Sequence, residues 1–593
     1  MLTAWLRRRW RRMLVVSLLL AAIGTLCADI VRIQHDLDAG HETLDSLDLE
    51  TVDDQGGLAV VVDGAADHLH AADQRARSSI PLRILSIVPG VSSQIAGLRD
   101  LTGAVDRLGV AGRRTADRLQ QELDTGSGPA SRIATAHVAA EQIALLRTDL
   151  DGIDLGHHWL IPPLEWARAD LQDDLDDAKT DLARGQQLAT SLESFLRGPR
   201  RYLILGGNNA EMRSGGIPTT SGIATIQDGE IDVGDFNGAV NGIELGYPGV
   251  PVPEDYSTVY GFLNGAQGYR TTTSTANWPL AAQIMSDITD VNMYGHVDGI
   301  IFVDTFVLSG LLKIVGPVEV NGREYNAANV GPELLYRNYL EYGSFDVADQ
   351  DQRRELQSDV AQAVFATLQS RDFSLTRLAG ALSRLAHNRN LLAWSSDPDE
   401  NELWQSFGAD GVLTPNTIGA ISNELNASKL DFFAKMSISL ESHLEGDRYH
   451  VTMRVAMTNN EHPATSPYID GGGVFADPGE VGAYIVSYLP AGADDIRNDD
   501  PGFVHAAPDG DTFAAGLIIR VPEGERREVT ITFTLPLRPD DTLRVLPTAR
   551  LLPTTWTVGG RIADDTQQLL IHLGADGATL EAGIGDTEPA PTG

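Results

Sequence analysis

Cysteine is almost absent from this chain: Cys27 is the only one in 593 residues, so no disulfide can form within it. Lysine is nearly as scarce, limited to Lys179, Lys313, Lys429 and Lys435. Arginine carries the remaining positive charge alongside abundant alanine, glycine and aspartate, a usage that marks a GC-rich, bacterial type of genome. Positive charge is itself short, with 45 Lys and Arg against 82 Asp and Glu and a formal net charge of −37. So acidic a body repels nucleic acid, and no basic stripe offsets it, which argues against nucleic acid as a partner. GxSxG, HExxH, a P-loop and paired CxxC motifs are all missing. The GxG-like groups do not open a helix after a strand, so serine-hydrolase, zinc-protease and nucleotide-binding readings fall together.

The basic charge that is present concentrates at the start, where Arg7, Arg8, Arg9, Arg11 and Arg12 stand without an acid. Residues 1–12 read as a basic cytoplasmic tail. Residues 13–33 follow as a transmembrane signal anchor, apolar from Met13 to Ala28, with Asp29 and Arg32 at its outer end. That length suits a hydrocarbon core that takes about 20 helical residues, and arginines ahead of it place the N-terminus inside. No small-x-small triplet closes the run as a cleavage site would, and Leu26 before Cys27 does not suit lipoprotein processing. The expectation is a single-pass protein of the cytoplasmic membrane with the bulk of the chain extracytoplasmic.

Beyond the anchor the pattern divides into three parts and a tail, a multidomain α+β organisation. Residues 34–198 read as a helical bundle or stalk, with Val91, Ile95, Leu98, Leu101, Val105 and Leu108 at spacings of three and four. Asp173, Asp174, Asp176 and Asp177 interleave with its leucines, as a solvated helix face does. Residues 199–429 read as a central α/β domain. Its clearest unit is a strand at Val297–Val303, a helix at Thr305–Val315, a stop at Gly316-Pro317 and a strand at Val318–Val320 turning at Asn321-Gly322. The stretch from Phe236 to Trp278 is too irregular to assign, and an Asp-rich loop is expected around Ser396 to Glu400. Residues 430–575 alternate as a sandwich-like β domain, with a hairpin at Met436–Leu444 and Tyr449–Met457 and a further run at Val529–Leu535. Residues 576–593 read as disordered.

The stretch with most chemistry is Tyr202 to Ile231, where two apolar runs flank a polar, glycine-rich bend. A strand, bend and strand would bring Asn208, Asn209, Glu211 and Arg213 to the rim of a sheet. Arg213 would offer a planar charged fork for carboxylate or phosphate, and Gly215 and Gly216 would let a ligand approach closely. The same residues also fit a structural loop in which the asparagines satisfy turn backbone and Arg213 pairs with an acid. Asp304, and with it Asp298, stands where ligands bind in α/β sheets, yet Asp304 equally suits a helix N-cap. His157-His158 lacks ligands at metal spacing, and His296 reads as a loop histidine.

Five ordered segments carry a resemblance. NNAEMRSGG at Asn208–Gly216, ANWP at Ala276–Pro279, HVDGIIFVDTFVLSGLLKIVGPVEV at His296–Val320, SSDPDENELWQSFGADG at Ser395–Gly411 and NASKLDFF at Asn426–Phe433 resemble the domain of unknown function 4012 family. Its members are membrane-anchored bacterial envelope proteins, frequent in actinobacteria, without an established activity. His296–Val320 is also similar, more distantly, to a segment of the LytR-CpsA-Psr family, which transfers glycopolymers from a polyprenyl pyrophosphate carrier to peptidoglycan. That resemblance implies Arg213 and Arg270 as catalytic residues gripping a diphosphate, with Asn208, Asn209, Glu211 and Asn277 as ligand-binding neighbours. It further implies Mg2+ held by an acid, for which Asp304, Asp298 or Glu211 would serve, and a polyprenyl-phosphate-linked glycan or peptidoglycan as partner. Where that family has an acid two residues after its first arginine this chain has Gly215, and a Pro-Arg-Asp motif is absent. The functional expectation is therefore an envelope protein acting on or binding such glycopolymers, with a non-catalytic scaffold or a glycan- or protein-binding module as the alternative.

Overall fold

A computed structural model of the chain describes residues 31–44, 48–236, 249–291, 295–462, 465–473, 475–499, 505–538 and 541–582. The expected basic tail, all but the last three residues of the expected membrane span, and residues 583–593 of the expected tail lie outside them. Among the described residues no helix is long and apolar enough to cross a membrane. By contacts the chain divides into two units, one comprising the residues up to Leu196 with Ser374–Gly380, the other Arg197–Phe373 with Ala381 onward.

The first unit is helical. Its helices are α1 (31–44), α2 (Leu58–Ser78), α3 (Ile80–Leu85), α4 (Ser92–Leu123), α5 (Pro129–Asp151) and α6 (Pro162–Arg197, of which Arg197 counts with the second unit). The apolar spacing of α4 explains its packing: Ile95 and Leu101 are buried, and Val91, Leu98 and Leu108 pack against the same clusters. Small residues let α2 lie close against α4, and a Cβ on Gly109 would come 3.2 Å from the Cα of Ala66. Thr102 Oγ1 donates to Asp73 at 3.0 Å and Arg113 to Asp67 at 2.6 Å, which sets the two helices antiparallel. Asp173, Asp174, Asp176 and Asp177 are exposed around a buried Leu175, the solvated face that their spacing implies.

The second unit is built on sheets. β1 (Arg200–Asn208), β2 (Ile217–Gln227), β3 (Glu230–Val233), β4 (Gly299–Val303) and β7 (Leu391–Ser395) form one, in the order β3-β2-β1-β4-β7. Only β1 and β4 run parallel, with Tyr202 opposite Gly299 and Gly206 opposite Val303. Along the same stretch lie α7 (Glu254–Tyr260), α8 (Tyr269–Thr272), α9 (Trp278–Asp290), α10 (Thr305–Val315) and the hairpin β5 (Val318–Val320) and β6 (Arg323–Tyr325). The unassigned stretch thus holds α7 and α8, while residues 237–248 lie outside the described residues. The expected Asp-rich loop is largely a helix, Pro398–Ser406, because Asp397 caps it by accepting from the Asp399 N–H at 3.0 Å.

The remaining strands are β8 (Thr417–Glu424), β9 (Lys435–Glu445), β10 (Arg448–Thr458), β11 (Val481–Leu489), β12 (Asp494–Asn498), β13 (His505–Asp509), β14 (Thr512–Val521), β15 (Arg526–Pro536), β16 (Thr542–Val545), β17 (Thr555–Val558), β18 (Arg561–Asp564), β19 (Leu569–Gly574) and β20 (Gly577–Ala582). They make a six-stranded sheet, β12-β15-β10-β9-β17-β18, and a seven-stranded sheet, β13-β14-β11-β8-β16-β19-β20. The two share one core: Val481, Ala483 and Ile485 of β11 meet Met453, Val455 and Ile531 in it. The opposite face of β11, Tyr484, Val486 and Tyr488, joins a second core with Leu203, Leu205, Tyr260, Trp278 and Ile300. At β8 and β11 the seven-stranded sheet is therefore buried on both faces, every residue of these two strands being buried. Two differences from the expected boundaries follow. β8 pairs with β11 and β16, so residues 417–424 sit inside the seven-stranded sheet although the border was expected at 430. β20 pairs with β19 as far as Ala582, so residues 577–582 are strand where a disordered tail was expected.

Candidate functional site

The parallel register of β1 and β4 brings their carboxyl ends side by side, which places Asn208 and Asn209 next to Asp304. Asp304 caps α10: its Oδ1 accepts from the N–H groups of Phe306 at 2.9 Å and Val307 at 3.3 Å. Its Oδ2 accepts from Asn209 Nδ2 at 2.8 Å and Asn390 Nδ2 at 2.7 Å. Burial pushes this carboxyl up to about 7, against the pull of those hydrogen bonds towards the charged form. Four donors occupy the roughly four lone-pair sites of a carboxylate, so Asp304 has no position left for a metal ion. Asp298 is no substitute. Its Oδ2 accepts from the Arg201 N–H at 2.7 Å, and β4 separates it from Asp304 by roughly 20 Å of strand rise. The two expected metal acids are thus not brought together, and the residues present do not form a magnesium site around Asp304.

The bend from 209 to 216 turns away from β2 and reaches β8. Met212 carbonyl accepts from the Glu424 N–H at 2.9 Å, and Arg213 bridges to Asn423. Gly216, at φ +113°, makes that turn in a conformation that glycine adopts readily. A Cβ on Gly215 would meet Phe302 at an ordinary 3.4 Å, so packing within the protein does not require glycine there. Asn208 Nδ2 donates to the Tyr339 hydroxyl at 2.9 Å, and Asn208 Oδ1 accepts from the Ala210 N–H at 3.0 Å, the turn-satisfying role.

Glu211 is buried and in contact with the ammonium of Lys429. Burial alone would raise the Glu211 carboxyl, but Lys429, Arg213 and Arg270 overcome it and hold it below its ordinary value. Burial would lower Lys429, yet Glu211 with Tyr339 and Tyr468 keeps it above the usual lysine range. The Lys429 ammonium lies 4.9 Å and 5.2 Å from the centroids of those two tyrosine rings. Beside this pair lies a second: Asp431 accepts from the Met212 N–H at 2.9 Å and pairs with Arg550, also at 2.9 Å. Arg550 further donates to Ser422 Oγ at 2.6 Å.

Arg213 is 8% exposed and donates to its neighbour's carbonyl, that of Met212, at 3.2 Å. Among the described residues the Nε atoms of Arg213 and Arg270, Thr273 Oγ1, Ser274 Oγ, Asn423 Oδ1 and Glu424 Oε2 are buried without a hydrogen-bond partner. Burial, with Glu211 nearby, pushes Glu424 up to about 7. Asn277 belongs elsewhere: its Nδ2 donates to Asp509 Oδ1 at 3.0 Å, in a cluster where Asp509 also accepts from Thr275, Tyr260 and Tyr488.

The structure therefore assembles Asn209 and Asp304 into one buried network and Glu211, Arg213 and Arg270 into another, to which Asn208 is tied through Tyr339, leaving Asp298 and Asn277 outside both. Lys429, Asp431, Glu424 and Arg550 complete the second network and were missed. Lys429 carried a usable signal, being one of four lysines and standing within NASKLDFF. A separate trio on the β9–β10 hairpin, His443, Glu445 and His450, has ligand atoms within 4.8 Å of one another. These three side chains are at the surface, where no buried group fixes their orientation.

Residues 197–339 match the profile of the family described as a protein of unknown function, DUF4012. The match contains Asn208–Gly216, Ala276–Pro279 and His296–Val320. No curated protein and no solved structure matches the chain.

Proposed function

We propose that the chain is a membrane-anchored, extracytoplasmic cell-envelope protein whose sheet-built unit is a non-catalytic scaffold or a glycan- or protein-binding module. One observation carries this choice: the Asn208, Asn209 and Glu211 side chains of the 208–216 bend are spent on partners within the protein. Asp304 takes four donors, Glu211 is paired with Lys429, and Arg213 is almost wholly covered. Such a bend fastens one sheet to another. The anchored placement is supported by the apolar run from Met13 to Ala28 and the five arginines before it.

A second reading, transfer of a glycopolymer from a polyprenyl diphosphate, draws on the two unpartnered guanidinium Nε atoms of Arg213 and Arg270. In it the arginines would neutralise the diphosphate directly, since the neighbouring acids do not offer a magnesium site. The full chain in lipid nanodiscs separates the two. Given polyprenyl-diphosphate-linked glycan with and without magnesium, it should release no polyprenyl phosphate product, and none should co-purify. Turnover that disappears in Arg213→Ala would overturn the scaffold reading.

A further inference from the structure

The first unit ends in an apolar tip. α1 and α2 run antiparallel, so the first turn of α1 lies beside the C-terminal end of α2, where Ile33 packs with Ala76, Leu82 and Ile95. α4 starts at that same end, and the segment after α5 returns to it: Gln94 donates to the Trp159 carbonyl at 3.0 Å and accepts from the Ile161 N–H at 2.7 Å. α6 starts from there as well. At this one end Ile80, Ile84, Ile87, Trp159, Ile161 and Trp166 are exposed, Ile87 by 82% and Trp159 by 74%. Large apolar side chains gathered at one end, two of them tryptophan, mark a contact surface.

Charge is distributed to match. No Asp or Glu occurs from Ser78 to Arg99 or from Leu155 to Leu164, against 82 acids in 593 residues overall. Arg32 and Arg83 are exposed within the same region. Apart from Glu165 beside Trp166, which pairs with Arg168, these two segments offer no negative charge for an anionic headgroup layer to repel. The occupant is indicated by where the chain enters. The apolar run Met13–Ala28 precedes Val31–Ile33 by two residues, so the chain joins the helical unit at this tip.

We propose that this tip seats in the bilayer interface, with Ile80, Ile84 and Ile87 entering the headgroup–acyl boundary and Trp159 and Trp166 at headgroup level. Tryptophan favours that level because its ring is apolar and its N–H is polar. The inference rests on the anchored reading above and adds to it a second membrane contact, one that would fix the tilt of the helical unit on the membrane.

The test uses the full chain in a Cys27→Ser background, in nanodiscs of phosphatidylcholine and phosphatidylglycerol. Spin labels are placed singly through Ile84→Cys, Trp159→Cys, Leu145→Cys on α5 as an aqueous control, and Leu20→Cys in the apolar run. Ratios of collision with lipid-soluble oxygen and with a water-soluble nickel chelate are read at each site. Positions 84 and 159 should favour oxygen severalfold over position 145. Equal ratios at 84, 159 and 145 would overturn the proposal, as would shielding of 84 and 159 from both reagents, which would indicate a protein partner or a second copy. Position 20 separates the two levels of failure. Oxygen access at 20 with an aqueous 84 leaves the anchor standing and removes the tip contact, whereas nickel access at 20 removes both.

Discussion

Removing a charge from a buried pair leaves its partner unpaired in a medium that solvates it poorly, and the loss exceeds what the pair contributes over apolar replacements. Glu211 and Lys429 are such a pair, both nearly inaccessible to solvent. Lys429→Met is expected to cost about 3–5 kcal/mol in chemical denaturation. Glu211→Leu combined with Lys429→Met should recover much of that loss, because no lone charge remains. If the double variant is as unstable as the single one, Lys429 acts through Tyr339 and Tyr468 more than through Glu211. Glu424 supplies a pH dependence of definite sign. Its folded carboxyl is raised to about 7, above the ordinary value of 4.5. Between those values the folded state binds a proton that the unfolded state has released, so stability from this group is complete below about pH 4 and is lost as pH rises towards 7. The full effect is on the order of 3 kcal/mol. Glu424→Gln abolishes this titration, so its melting temperature relative to the parent should rise between pH 5 and pH 8. A difference that is flat or falls with pH would contradict the assignment.

Gly207 of β1 and Gly215 of the bend after it face the same ring, Phe302, at different distances. A Cβ on Gly207 would lie 2.2 Å from Phe302 Cζ, whereas one on Gly215 would lie 3.4 Å from the same ring. Gly207→Ala should therefore destabilise by about 1–3 kcal/mol through overpacking, and Gly215→Ala by well under that, measured as a shift in denaturation midpoint. Equal effects would mean that the ring moves aside. Where signals are local, elements could be read from the sequence almost residue by residue. α10 spans Thr305–Val315 and β5 spans Val318–Val320 as their caps and turn residues imply, and Asn321 and Gly322 take the positive φ values, 52° and 75°, of the hairpin turn. The β9–β10 hairpin was legible because one face is buried and the other is not. β8 and β11 were not, because burial on both faces erases the alternation by which strands are recognised. The site was half legible for a related reason. The 208–216 bend announces itself by local crowding of polar residues, but its charge partner Lys429 lies 218 residues away.

Contacts that bridge such separations decide what folds together. The second core draws on Leu203, Ile300, Ile421, Tyr488 and Leu546, so its residues span most of the second unit. Hydrogen bonds cross the expected border as well: Asn209 reaches the Ala549 carbonyl at 2.9 Å and Met212 reaches Asp431, while Tyr339, bonded to Asn208 on the near side of that border, packs in the first core. Cutting the chain at 429 would strip β8 of β11 and β16, exposing both its apolar faces and its unpaired backbone groups. It would also remove Asp431, which accepts from the Met212 N–H, and Arg550, which donates to Ser422 Oγ. These losses fall on one network, so they compound instead of adding independently. A fragment of residues 197–593 should therefore melt in one cooperative transition by calorimetry, while a fragment of residues 199–429 should show none and should bind a dye specific for exposed apolar surface. A sharp transition in the shorter fragment would mean that the first sheet and its helices hold a core of their own, and that the contacts of Asp431 with Met212 and of Arg550 with Ser422 join two domains that fold separately.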